Sequence, residues 1–116
     1  MKKCFAMLFA FAVAIALIPV SAFAAHQKSC VTLYEHVNFK GKHIKICSND
    51  STLVNNNWND IASSAKVSRG GGAVLYEHIN YKGHQWNLAP GNYPDFTKRK
   101  LGNGTWNDVV SSVRVK

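Results

Sequence analysis

Residues 34–41 read Tyr-Glu-His-Val-Asn-Phe-Lys-Gly and residues 76–83 read Tyr-Glu-His-Ile-Asn-Tyr-Lys-Gly, so one eight-residue pattern occurs twice with an offset of 42 (76 − 34) and six identities. A second pattern also recurs. Trp58-Asn59-Asp60-Ile61-Ala62-Ser63-Ser64 returns as Trp106-Asn107-Asp108-Val109-Val110-Ser111-Ser112, with an offset of 48 (106 − 58). The second copy therefore holds six extra residues between its two patterns. The turn-forming stretch Pro90-Gly91-Asn92-Tyr93-Pro94 is where the sequence places them. Solenoids need three or more repeats. Two copies in one short chain predict a pseudo-twofold pair of units that share a core. Gly70-Gly71-Gly72 separates the copies and reads as a flexible connector.

Each copy reads as β. Val31-Thr32-Leu33-Tyr34 and Ala73-Val74-Leu75-Tyr76 are rich in strand formers. Ala65-Lys66-Val67 and Val113-Arg114-Val115 alternate apolar and basic residues, as half-buried strands do. No long helical period follows the first two dozen residues. The expected fold class is all-β, a sandwich of two Greek keys spanning about 31–69 and 73–116.

The N-terminus has a different character. Met1-Lys2-Lys3 precedes an apolar run from Cys4 to Val20, then Ser21-Ala22-Phe23-Ala24-Ala25 with an A-x-A arrangement. This predicts a signal peptide over 1–24, an N-terminal segment over 25–30, and secretion or a periplasmic location, with no membrane span after cleavage. About 91 residues remain, enough for one small domain. Lys+Arg falls from 14 to 12 on loss of Lys2 and Lys3, and with six acids the net charge is +6. Such a surface can meet an anionic envelope component. The cations are scattered apart from Lys98-Arg99-Lys100 and do not interleave with aromatics, so no nucleic-acid partner is expected. Cys30 and Cys47 survive cleavage as an even pair in an oxidising compartment. Their midpoint is 38.5, the centre of a strand-turn-strand reading at Asn38-Phe39, which sets the two opposite each other as a disulfide. A two-cysteine metal site would need further soft ligands at nearby spacing.

Y-x-x-x-x-(F/Y)-x-G, present twice, resembles the Greek-key signature of the βγ-crystallins. The six-residue pattern (N/D)-(N/D)-x-x-(S/T)-S, also present twice, resembles the calcium motif of their microbial members. The resemblance covers Val31 to Lys116. It implies two calcium sites built from both copies. Asp60 and Asp108, or Asn59 and Asn107, would offer side-chain oxygens, and Ile61 and Val109 backbone carbonyls. Ser63 and Ser111 would offer hydroxyls reaching across to the partner site, and Glu35 and Glu77 backbone carbonyls. An all-oxygen set suits a hard cation that takes roughly 6–8 oxygen ligands. The same six residues also make a self-bonded turn without metal. Ser64 and Ser112 are read as satisfying backbone groups.

The remaining residues point away from catalysis. Ser, His and Asp occur in no nucleophile motif such as G-x-S-x-G, and the histidines have no H-E-x-x-H spacing. The expectation is a non-enzymatic, calcium-binding domain of structural or protective role. The alternative is a secreted metalloproteinase inhibitor or killer-toxin-like interaction protein on the same fold, with a secreted protease as partner and residues 92–98 as the presenting loop.

Overall fold

The computed structural model describes residues 27–116, so the segment read as a signal peptide lies outside the described residues. Strands β1 (Val31–His36) and β2 (Lys40–Ile46) form an antiparallel hairpin, and β4 (Ala73–His78) and β5 (Lys82–Leu88) form its counterpart. β3 (Ser64–Val67) returns antiparallel to β1, and β9 (Ser112–Val115) to β4. Among the described residues no helix is long and apolar enough to cross a membrane.

The eight-residue pattern explains the hairpins atom by atom. Asn38 and Phe39 stand at φ 60 and 62, and Asn80 and Tyr81 both at φ 60. Asn tolerates this left-handed region, whereas an aromatic there must be held by its surroundings. Tyr34 holds Phe39 edge-to-face at 5.6 Å between ring centres, and Tyr76 holds Tyr81 at the same distance. The last serine of the other pattern closes each turn. Ser64 Oγ accepts from Phe39 N at 3.0 Å and donates to His36 O at 2.6 Å. Ser112 does the same for Tyr81 N and His78 O at the same distances. The terminal glycine is a matter of space as well as conformation. A Cβ on Gly41 (φ +79) would sit 2.6 Å from His36 Cδ2, and one on Gly83 (φ +80) 2.5 Å from His78 Cδ2.

The two copies then exchange a strand. β6 (Gly91–Tyr93), from the second copy, pairs with β3, giving the sheet order β2-β1-β3-β6. Asp50, from the first copy, bridges Val113 at the edge of the sheet β5-β4-β9. Each sheet thus receives its outer element from the other copy.

This exchange corrects the placement of the extra residues. Asn38 N donates to Pro94 O as Asn80 N does to Ser51 O, and Phe96 N donates to Ser63 O as Leu53 N does to Ser111 O. Asp95 caps Thr97 N as Thr52 caps Val54 N. All these equivalences have an offset of 43 (94 − 51, 96 − 53, 95 − 52). One extra residue therefore precedes the exchanged strand. The other five (48 − 43) lie between Phe96 and Trp106, in a small hairpin of β7 (Lys100–Leu101) and β8 (Gly104–Thr105). The Pro90–Pro94 stretch is not an insertion but the exchanged strand with its bends. Residues 92–98, the expected presenting loop, begin in that strand and carry the fully buried Phe96, with Asn92, Pro94, Thr97 and Lys98 exposed.

The glycine connector is also tighter than its composition suggests. Gly72 N donates to Ser29 Oγ at 2.8 Å, Gly71 N to Lys116 O and Lys116 N to Gly72 O, both at 2.9 Å. A Cβ on Gly70 would lie 2.5 Å from Ser29 N. These glycines let chain segments approach closely rather than supply slack. Cys30 and Cys47 are disulfide-bonded, directly beside the Val31↔Ile46 pair at the open end of the first hairpin.

Alternate residues of each strand face one core. Val31, Leu33, Ala65, Leu75, Val113 and Val115 pack there with Leu53, Phe96, Trp58 and Trp106. Full burial of a side chain such as Leu33 or Leu75 is worth about 1.5–3 kcal/mol. Trp86 takes the place of Ile44 and stacks at 5.1–5.8 Å on Phe96, Trp106 and Tyr93. It is a core aromatic.

Candidate metal centre

The six-residue patterns start from core anchors, Trp58 and Trp106, both buried. Asp60 and Asp108 follow in left-handed backbone at φ 57 and 58, turning the chain sharply. The two turns bond to each other across the pseudo-twofold axis. Asp60 N donates to Val110 O and Asp108 N to Ala62 O, each at 3.0 Å. The side chains cross in the same way. Ser111 Oγ donates to Asp60 Oδ1 at 3.1 Å and Ser63 Oγ to Asp108 Oδ1 at 3.3 Å. Ser63 N and Ser111 N donate to Tyr34 O and Tyr76 O at 2.9 Å, tying each turn to the first strand of its own copy.

This crossing frames two clefts. One, of about 510 Å³, is lined by Glu35, Asp60, Ile61, Ser63, Asn107 and Asp108, with His36, Val37 and Thr97 around them. The other, of about 390 Å³, is lined by Glu77, Asn59, Asp60, Asp108, Val109 and Ser111, with His78 and Ile79. All ten residues singled out from the sequence border one cleft or the other. But Ser63 lines the cleft of its own copy's Ile61 and Glu35, and Ser111 that of Val109 and Glu77. The residues that come from the other copy are therefore Asn107 and Asp108 or Asn59 and Asp60 rather than the serines. Both carboxylates border both clefts.

The donor chemistry fits a hard cation. The lining residues carry carboxylates, hydroxyls, amide oxygens and backbone carbonyls. Among the described residues there is no group of three or more His, Cys, Asp or Glu placed to hold a metal. Asn59 Oδ1 and Asn107 Oδ1 are buried without a hydrogen-bond partner. A buried acceptor left unpaired costs about 1–3 kcal/mol, and a cation is a partner that such an oxygen can take.

Both glutamate carboxylates have partners within their own hairpins. Glu77 Oε1 lies 2.8 Å from His84 Nδ1 and 3.6 Å from His78 Nε2. The His84 hydrogen bonds, with the charges of His78 and His84, hold the Glu77 carboxyl below its ordinary value. In the first copy Lys42 stands where His84 does, and only its backbone N–H reaches Glu35 Oε1, at 3.3 Å. Thr97 was not foreseen. Its counterpart 43 positions earlier is the exposed Val54, so repeat comparison gave no signal for it. The only cue was the Asp95-x-Thr97 capping pattern.

The Beta/Gamma crystallin family profile matches residues 30–115. The chain belongs to the βγ-crystallin family. It is similar to a βγ-crystallin from an archaeon, at 37% identity over 74% of this chain and 95% of that one, with a TM-score of 0.64. It is also similar to a βγ-crystallin of Ciona intestinalis, at 30% identity over 75% and 99%, with a TM-score of 0.66. A third similar structure is a clostrillin double mutant in complex with nickel, at 28% identity over 74% and 95%, with a TM-score of 0.57. No curated protein matches the chain. In this βγ-crystallin the two serines of each pattern divide their tasks. Ser64 and Ser112 are fully buried and lock the hairpin turns, while Ser63 and Ser111 face the clefts.

Proposed function

We propose that this chain is an exported, non-enzymatic βγ-crystallin domain that binds two calcium ions as part of its fold. One site takes the Ile61 and Glu35 carbonyls, the Ser63 hydroxyl and an oxygen of Asp108 or Asn107. The other takes the Val109 and Glu77 carbonyls, the Ser111 hydroxyl and an oxygen of Asp60 or Asn59. The reading is carried by the reciprocal crossing of Asp60 with Ser111 and of Asp108 with Ser63. A turn that only served its own copy would have no use for it. The two unpartnered buried amide oxygens support the same reading.

Calcium there would neutralise carboxylates brought together by the fold and pin the two copies against each other. Only two carboxylates serve two sites in a protein of positive net charge, so affinity falls toward the ~10⁻⁴–10⁻³ M class of extracellular modules. Millimolar calcium outside the cytoplasm still stabilises the native state, because binding to that state alone raises stability logarithmically. The role that follows is structural or protective.

Thermal unfolding of the oxidised protein in chelator and then in millimolar calcium tests this. The midpoint rises with calcium in the native sequence and does not in Ser63→Arg/Ser111→Arg. No shift in the native sequence, with no heat of binding by calorimetry, refutes it and leaves the patterns as structural turns.

A further inference from the structure

The copies carry the same Asn-Asp-x-x-Ser-Ser pattern at the two clefts and differ at one edge, where the second has Trp86 in place of Ile44 and the added β7–β8 hairpin. A separate cleft of about 250 Å³ lies there, lined by Trp86, Asn92, Tyr93, Asp95, Lys98 and Arg99, with Pro94. We propose that this cleft binds an acidic sugar unit of an anionic polysaccharide, with Arg99 and Lys98 holding its carboxylate.

The site is small and preformed, which suits a single ring. Its floor is Trp86, braced on three sides by Tyr93, Phe96 and Trp106. The Arg99 guanidinium sits over the Trp86 ring at 5.2 Å from its centre. That stacking orients a planar fork of N–H donors, the geometry that pairs with a carboxylate. Tyr93 and Pro94 supply an apolar wall, and the Tyr93 hydroxyl is anchored to Ala89 O at 2.6 Å. The one acid of the lining, Asp95, is occupied by the backbone and hydroxyl of Thr97. Its carboxylate keeps free lone pairs for sugar hydroxyls, and the lining retains a net positive charge.

A polymer fits better than a lone anion because the cations continue beyond the cleft. Asn92 belongs to a row across the outer face of one sheet: Lys45 on β2, Thr32 on β1, Lys66 on β3 and Asn92 on β6. Strand spacing places Lys45 and Lys66 on the order of 10 Å apart. The matching row of the other sheet, Asn87, Val74 and Arg114, has one cation. Nucleic acid is disfavoured because base binding needs an open aromatic platform, and Arg99 covers the Trp86 face. A lipid surface is disfavoured because the exposed large apolar side chains among the described residues, Val54 and Ile79, lie outside this cleft. This proposal does not depend on the cation reading.

The test titrates the oxidised protein with trigalacturonic acid in chelator at about 0.15 M salt, following amide resonances by NMR, with neutral maltotriose in parallel. Chelator excludes calcium bridging, so failure of the calcium reading cannot imitate failure here. Trigalacturonate should shift resonances over residues 86–99, and maltotriose should not. Arg99→Gln should weaken binding about tenfold or more, Arg99→Lys less, and the remote Lys28→Gln little, with thermal unfolding confirming that each variant folds. Equal binding of maltotriose, undiminished binding by Arg99→Gln, or an equal loss in Lys28→Gln would overturn the proposal. So would tighter occupancy of the same residues by duplex DNA or by phosphatidylglycerol vesicles.

Discussion

The two Greek keys share a backbone plan but are stabilised differently. The first closes its hairpin with the Cys30–Cys47 disulfide and packs the modest Ile44 beneath it. The second has no disulfide and instead buries Trp86 in a cluster with Phe96, Trp106 and Tyr93. One copy limits the freedom of its unfolded chain, and the other gains apolar burial in the folded state. Where the copies face each other, at Asp60, Ser63, Asp108 and Ser111, they remain alike, because each completes the other's cleft. The disulfide and the Trp86 cluster, the largest differences, lie away from those contacts.

The largest test of this contrast is core truncation. Trp86→Ala should cost about 3–5 kcal/mol by denaturant unfolding. Ile44→Ala, at a position only partly buried, should cost less, and equal losses would break the comparison. Next comes the covalent bond. Cys30→Ala/Cys47→Ala should cost about 3 kcal/mol in the chain-entropy model. Hydrogen exchange should quicken in β1 and β2 more than in β4 and β5, and uniform quickening would show that the disulfide serves the whole sandwich. The smallest effect concerns charge. Glu77 titrates below its ordinary value of 4.5 in the folded protein. Its contribution to stability is therefore present above that value and fades as pH falls through the lower folded one. The group is partly exposed to solvent, so the stability change is slight. His84→Ala should move the Glu77 carboxyl resonance midpoint upward by NMR titration, since His84 is the main cause of the shift. An unmoved midpoint would mean that the backbone N–H of residue 84 and the charge of His78, both kept in the variant, set it.

Much of this was legible in the sequence because the motifs encode local geometry. The Tyr–aromatic–Gly spacing specifies a turn whose left-handed residues, edge-packed rings and missing Cβ lie within eight positions. The paired Asn-Asp-x-x-Ser-Ser patterns named residues that the fold gathers around the two clefts, and strand alternation named the core. Tertiary structure decided the rest. The exchanged elements are a three-residue strand and a single bridge, too short to show a period, and their partners are distant in the chain. Without that exchange the offset of 43 cannot be seen, and six extra residues look like one loop at a proline-rich bend. Likewise Gly70–Gly72 reads as slack until Ser29 and Lys116 are seen pressed against it. Composition reports what a backbone is free to do, and only long-range contacts determine what it is held to do.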